Sequence, residues 1–196
     1  MELILASKSK QRKDIFDMIG LKYEVVKSLV EERSNSSDPT QYVIDLSKDK
    51  ANSVASQINE KAIIIAADSI MYMDGKIFEK PKSKEEASLN MKLMSGKIVY
   101  GITGVTIKDL STNKELSFAD TAEIHLKAIE SDEINWYVEN DKNVLNRCGF
   151  SIEGKASVFV DKIVGDYNTI RGISVSKLFS KFKELEINIY DFMLND

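Results

Sequence analysis

Residues 3–6 form a strand-like apolar run that leads straight into Ser7-Lys8-Ser9-Lys10-Gln11-Arg12, two hydroxyls, two lysines and an arginine at the expected start of a helix. A helix N-terminus carries about half a positive charge and N–H donors that the helix itself does not use, so this junction suits phosphate. It is not a Walker loop, because glycine is absent and the lysine spacing is wrong. The plainer alternative is a capped, solvated helix start. Asp68 follows the apolar run Ile63-Ile64-Ile65-Ala66-Ala67. A carboxylate at the mouth of a buried strand is poorly solvated and rigidly held, which suits a metal ligand or a general base. The competing reading is an edge aspartate that caps a turn. Lys80-Pro81 sets a cation on a stiffened loop, by itself an ordinary surface lysine. Glu31-Glu32-Arg33 reads by default as a solvated turn. Paired with Asp68, its carboxylates would instead suit Mg2+, a hard ion that takes oxygen ligands and keeps several waters.

Other machinery is set aside. His125 is the one histidine and falls on the expected polar face of a strand, so a histidine-rich metal site is excluded and a Ser/His/Asp triad is not easily argued. Cys148 has no evident base nearby and reads as a packed thiol. A lone cysteine also excludes an internal disulfide framework or thiolate zinc cage and fits a reducing cytoplasm. Trp136, Tyr137 and Val138 read as helix packing. The net charge of −4 argues against a nucleic-acid polymer as partner, while local cations still permit a small polyanion. No apolar stretch approaches the roughly 20 residues needed to cross a bilayer, and the N-terminus has no basic leader. A cytoplasmic protein with no membrane partner is expected.

The elements that must position these residues alternate between strand and helix periods. After the strand at 3–6, Ile15, Phe16 and Ile19 mark an amphipathic helix that Gly20 ends. A strand over 23–30 and a helix over 40–58 follow. The run 62–67 reads as a strand covered on both faces, and 72–78 as a hairpin turning at Asp74-Gly75. Ser83 with Glu86 announces a helix carrying Ala87, Met91 and Met94. Two long strands, 98–110 and 116–129, precede a helix capped by Ser131, a strand over 156–163 and a last helix opened by Ser174. At 43% hydrophobic the chain can bury its own core, and mixed strands and helices imply an α/β or α+β sheet flanked by helices.

Taken in order, the fragments Leu5-Ala6-Ser7-Lys8-Ser9-Lys10-Gln11-Arg12, Lys50-Ala51, Ala67-Asp68-Ser69-Ile70, Glu79-Lys80-Pro81 and Leu93-Met94-Ser95-Gly96 resemble the Maf family of nucleotide pyrophosphatases. Thr103-Gly104-Val105, Gly149-Phe150-Ser151-Ile152-Glu153-Gly154 and the run from Gly165 to Gly172 continue the series over nearly the whole chain. The resemblance implies one domain over residues 1–196, in two lobes around a cleft. The implied fold is an elongated mixed twisted α/β sheet, similar to that of the inosine-triphosphate pyrophosphatases. It also implies hydrolysis of a nucleoside triphosphate between the α and β phosphates with a divalent cation, Mg2+ or Mn2+. Asp68 would be the proton acceptor or a metal ligand, with Lys80 beside it in catalysis and Glu32 in the metal site. Ser7, Ser9, Arg12, Lys50 and Lys80 would face the phosphates.

The chain departs from the family where substrate is chosen. Lys10 and Gln11 stand where proline and arginine or tryptophan are usual. Ser69 is closer to the threonine of pyrimidine-type members than to the glutamine of 7-methyl-GTP-type members, whereas Glu153 matches the latter group. An ionised carboxylate only accepts, so Glu153 suits the adjacent N–H donors of a guanine edge. The expected lean is therefore to a guanine-type or 7-methyl-GTP substrate over dTTP or UTP. Gly172-Ile173-Ser174 replaces the family's Gly-Leu-Pro, and serine caps the last helix equally well. The competing function is a nucleotide-binding regulator of septum formation and cell division with little turnover. An exposed apolar patch would allow a homodimer.

Overall fold

In the computed structural model the described residues are 1–30, 33–147 and 150–194. They form seven strands in one mixed sheet: β1 (Glu2–Leu5), β2 (Glu24–Val25), β3 (Ala62–Met73), β4 (Lys76–Phe78), β5 (Ile98–Asp109), β6 (Glu115–Leu126) and β7 (Val160–Val164). The order is β2-β1-β3-β5-β6-β7, with β4 paired to β3. β1 is parallel to both β2 and β3, whereas β3–β4 and β6–β7 are antiparallel. Six helices accompany the sheet: α1 (Lys10–Met18), α2 (Pro39–Ala55), α3 (Lys84–Met94), α4 (Ser131–Asn140), α5 (Tyr167–Arg171) and α6 (Val175–Glu184).

The chain divides into two compact units. The first comprises Met1–Ser69, Thr103–Asp120 and Tyr167–Asp196; the second comprises Ile70–Ile102 and Thr121–Asp166. In the first unit the period-2 alternation of strands sorts side chains onto two faces. Leu3, Leu5, Ile63, Ile65, Ala67, Val105 and Ile107 pack with Ile15 and Phe16 of α1 and with Leu178 and Phe182 of α6. Ile4, Ala6, Ala62, Ile64 and Ala66 pack on the opposite face with Ala51 and Val54 of α2. Both faces are buried, as a strand of unbroken apolar residues requires. In the second unit α3 lies against α4, burying Ala87, Met91 and Met94 on one helix and Ile134, Tyr137 and Val138 on the other. Tyr137 meets Phe159 edge-on, with ring centroids 5.9 Å apart.

Several boundaries differ from expectation. β3 does not end at Asp68 but runs five residues further, to Met73. The polar pair Asp68-Ser69 is accommodated inside the strand because each side chain finds a partner, as described below. The Asp74-Gly75 hairpin forms as expected, with positive φ of 51° and 79° that match a type I′ turn. The strand read over 23–30 shrinks to two residues, and Gly154–Phe159 is a 3-10 helix preceding a shorter β7. Glu130, not Ser131, caps α4, through reciprocal contacts with Glu133. Trp136 is exposed, so Tyr137 and Val138 supply the packing attributed to all three. No described helix is long and apolar enough to cross a membrane.

Candidate functional site

Strand alternation decides who meets Asp68 and Ser69. Asp68 has the parity of Ile64 and Ala66, so it points to the α2 face; Ser69 has the parity of Ile65 and Ala67, so it points to the α1 face. On the α2 face Lys50 Nζ donates to Asp68 Oδ1 in a short contact, with both residues buried. Lys50 is brought there by an unusually close helix approach. A Cβ placed on Gly104 of β5 would lie 2.4 Å from the carbonyl carbon and oxygen of Val43 on α2, so only glycine fits. Hydroxyls fasten the same helix: Ser47 donates to the Ile44 carbonyl (2.8 Å) and lies 2.7 Å from Thr106 of β5, which lies 2.8 Å from Ser117 of β6.

On the α1 face the buried Arg12 is held by three of its nitrogens. Nε donates to the Gly172 carbonyl (3.0 Å), Nη1 to Ser7 Oγ (3.2 Å) and Nη2 to Ser69 Oγ (2.8 Å). Gly172 has φ +122°, and a Cβ there would come within 2.9 Å of Arg12 Nε, so glycine lets the backbone lie against the guanidinium. Ser7 also accepts from the Ser9 N–H at 3.2 Å. Ser9 precedes α1 without a side-chain cap, and its hydroxyl makes a long contact of 3.5 Å to half-buried Gln11. The junction thus presents helix N–H groups, two serines and a fixed guanidinium at the end of β1.

The first unit therefore holds two groups of these residues, scattered over 63 positions of the chain: Lys50 with Asp68 on the α2 face, and Ser7, Ser9, Gln11, Arg12 and Ser69 on the α1 face. Lys80 and Glu153 lie in the second unit. Lys80 is exposed after β4, and half-buried Glu153 precedes the 3-10 helix at Gly154–Phe159, its N–H donating to Ser151 Oγ (3.2 Å). Glu32 and Cys148 lie outside the described residues. His125 sits 2.8 Å from Glu123, a strand-surface pair of β6.

Among the described residues no three His, Cys, Asp or Glu side chains gather as a metal cage. Mg2+ does not need one, since it commonly uses one or two carboxylates with substrate phosphates and waters. The hard oxygen donor Asp68 fits that demand.

Sequence reading gave no role to Thr103, Thr169 or Asp120, which lie behind Ser69. Thr103 Oγ1 is 2.7 Å from Ser69 Oγ and donates to the Thr169 carbonyl at 2.7 Å. The Thr169 hydroxyl donates to Asp120, which Lys177 of α6 also pairs. The contacts from Thr103 span 34 and 66 residues along the chain, beyond any local pattern. The available signal was a buried threonine on the same strand face as Val105 and Ile107.

The family model described as Maf-like protein matches residues 2–185. A protein named dTTP/UTP pyrophosphatase from Thermoanaerobacter sp. (strain X514) is 37% identical over 93% of this chain and 96% of its own length. Another of that name, from Bacillus pumilus (strain SAFR-032), is 37% identical over 90% of this chain and 92% of its own. Among solved structures, the Staphylococcus aureus Ham1 protein overlaps 95% of this chain and 100% of its own at 12% identity and a TM-score of 0.49, too loose a likeness to carry a fold assignment. Family match and sequence identity agree across almost the whole length: the chain belongs to the Maf-like protein family.

Proposed function

We propose that this protein is a nucleoside triphosphate pyrophosphatase. It cleaves the bond between the α and β phosphates of dTTP or UTP, giving the monophosphate and pyrophosphate. The observation that carries this reading is that successive residues of one strand each hold a buried cation: Asp68 pairs with Lys50 on the α2 face and Ser69 binds Arg12 on the α1 face. Arg12, the Ser7 and Ser9 hydroxyls and the α1 N–H groups bind phosphate oxygens. An ammonium has three N–H donors, so the Lys50 contact with Asp68 is compatible with a second one to phosphate. Asp68 orients a water and takes its proton as the oxygen attacks the α-phosphorus; pyrophosphate leaves with the electron pair of the broken P–O bond. A divalent cation, Mg2+ or Mn2+, held by Asp68 and assigned also to Glu32, would neutralise developing phosphate charge. Lys80 is assigned to the phosphates by the family resemblance alone. The substrate pool makes the cytoplasm the working compartment.

The lean towards guanine-type or 7-methyl-GTP substrates is corrected here. Relatives at 37% identity carry the name dTTP/UTP pyrophosphatase. The lean treated the acceptor chemistry of Glu153 as a base contact, but residue type alone does not aim a side chain at a base. Ser69, nearer to threonine, agrees with the pyrimidine names.

The test is pyrophosphate release over dTTP, UTP, CTP, GTP and 7-methyl-GTP with Mg2+ or Mn2+, for the wild type and Asp68→Asn. Turnover of dTTP and UTP ahead of the others is expected. Loss of the proton acceptor should lower kcat by about 10²–10⁴-fold, the usual range for a general base. Near-wild-type activity of Asp68→Asn would overturn the assignment.

A further inference from the structure

The hydrogen bonds around Arg12 have a direction that follows from counting protons. A hydroxyl has one proton and two lone pairs. Thr103 gives its proton to the Thr169 carbonyl, so in the 2.7 Å contact with Ser69 it accepts, and Ser69 is the donor. Ser69 meanwhile accepts from Arg12 Nη2 at 2.8 Å. Its proton and one lone pair are thereby committed, and what half-buried Ser69 can still offer is a lone pair. Ser7, on the other side of the guanidinium, is the opposite. It accepts from both Arg12 Nη1 and the Ser9 N–H, and neither contact uses its proton. The two serines flanking Arg12 thus present opposite polarity: Ser7 a donor, matched to a phosphate oxygen, and Ser69 an acceptor, which a phosphate oxygen would oppose.

We propose that Thr103 is a positioning residue that sets this polarity. By taking the Ser69 proton it makes Ser69 an acceptor-only contact, and the substrate group seated there is an N–H or O–H donor. In a nucleotide that donor is the imide N–H of thymine or uracil, or a sugar hydroxyl. This rests on the nucleotide-hydrolase reading above, which had no place for Thr103. Thr103 is almost wholly buried, at 1% exposure, so it acts on substrate through Ser69 and not by contact. The same chain steadies Arg12, because Ser69 cannot turn its proton towards the guanidinium while Thr103 holds it.

Steady-state kinetics with dTTP, N3-methyl-dTTP and 2′,3′-dideoxy-TTP test the proposal in the wild type, Thr103→Val, Thr103→Ser and Ser69→Ala. One analogue, the one lacking the donor that Ser69 receives, should raise the wild-type KM about tenfold, the effect of one unmade hydrogen bond. That penalty should vanish in Ser69→Ala, shrink in Thr103→Val, where the freed Ser69 hydroxyl is no longer held with its lone pair towards the substrate, and return in Thr103→Ser. The N3-methyl arm identifies the base and the dideoxy arm the sugar. Thr103→Val should raise KM more than it lowers kcat, and Ser69→Ala/Thr103→Val should resemble Ser69→Ala alone. A penalty that persists in Ser69→Ala or is undiminished in Thr103→Val, or a Thr103→Val defect that serine does not rescue, would overturn the proposal. In the nucleotide-free protein the Arg12 Nε–Hε NMR resonance should broaden or shift in Thr103→Val and not in Thr103→Ser. An unchanged resonance refutes the chain. Failure of the wild type to cleave any nucleotide refutes the functional reading instead, and leaves the resonance to decide the polarity.

Discussion

At the scale of single residues, the energetic centre of the site is a buried ion pair that folding alone does not favour strongly. Removing two charges from water costs several kcal/mol per ion, which their attraction offsets only with good geometry. Lys50 and Asp68 side chains are 9% and 11% exposed, so the pair lies in that regime. Lys50→Met should therefore destabilise the protein by about 3–5 kcal/mol, because it strands a buried carboxylate. Lys50→Met/Asp68→Asn should recover a large part of that loss. Urea unfolding of the single and double variants measures both; a double variant as unstable as Lys50→Met would mean the damage is packing, not charge. The pair persists, on this account, for what it does to phosphate and water. Arg12 and Asp68 were legible as residue types in suggestive places, whereas Lys50 was legible only through the family resemblance. Their pairing was legible only once the strand continued through Asp68, because pleat parity then sends Asp68 to α2 and Ser69 to α1. The supports Thr103, Thr169 and Gly172 were not legible, since Gly172 meets Arg12 across 160 residues.

At the scale of elements, α2 has to lie almost on the backbone of β5 to deliver Lys50. Gly104→Ala would force a methyl to within 2.4 Å of Val43 backbone atoms, and backbone cannot swing aside as a side chain can. A cost of about 1–3 kcal/mol or more is expected for such overpacking, with kcat/KM falling further than stability because Lys50 moves with the helix. Thermal unfolding and kinetics of the same preparation separate the two effects. The turn after β5 is a second load on the element scale. Burial pushes the Asp109 carboxyl up, but the Ser111 and Thr112 hydroxyls and N–H groups outweigh it and hold the carboxyl below its ordinary value. Its contribution is therefore present above the ordinary carboxylate range and lost as pH falls through the depressed folded value. Between neutral pH and about pH 3, the wild type should lose more stability than Asp109→Asn. Parallel curves for the two proteins would show that the turn carries no such linkage. The helix stripes and the Asp74-Gly75 hairpin were readable from period and turn chemistry. The end of β3 was not, because a polar Asp-Ser pair looks locally like a strand terminus and only tertiary partners keep it inside the sheet. The 3-10 helix at Gly154–Phe159 was missed because its residues, Ala156, Val158 and Phe159, carry a strand-like composition.

At the scale of the whole molecule, the question is whether two compact units are two domains. We propose that residues 1–196 fold as one. Of the four points of division, the one between Asp166 and Tyr167 lies between β7 and α5, but the other three, between Ser69 and Ile70, between Ile102 and Thr103 and between Asp120 and Thr121, lie inside the unbroken strands β3, β5 and β6. Domain boundaries ordinarily fall in exposed, flexible linkers, and no such linker is present at these three points. Unfolding one unit alone would have to break three strands in mid-length. Calorimetry should therefore give one transition whose van't Hoff and calorimetric enthalpies agree. A non-hydrolysable dTTP analogue at about 100 times its dissociation constant should stabilise that transition by roughly 2.7 kcal/mol, a rise of about 5–10 °C for a chain of this size. Two transitions, with only one raised by the analogue, would instead make the units separate domains. They would also confine nucleotide binding to the unit that holds Arg12, Lys50 and Asp68, and remove Lys80 and Glu153 from the site.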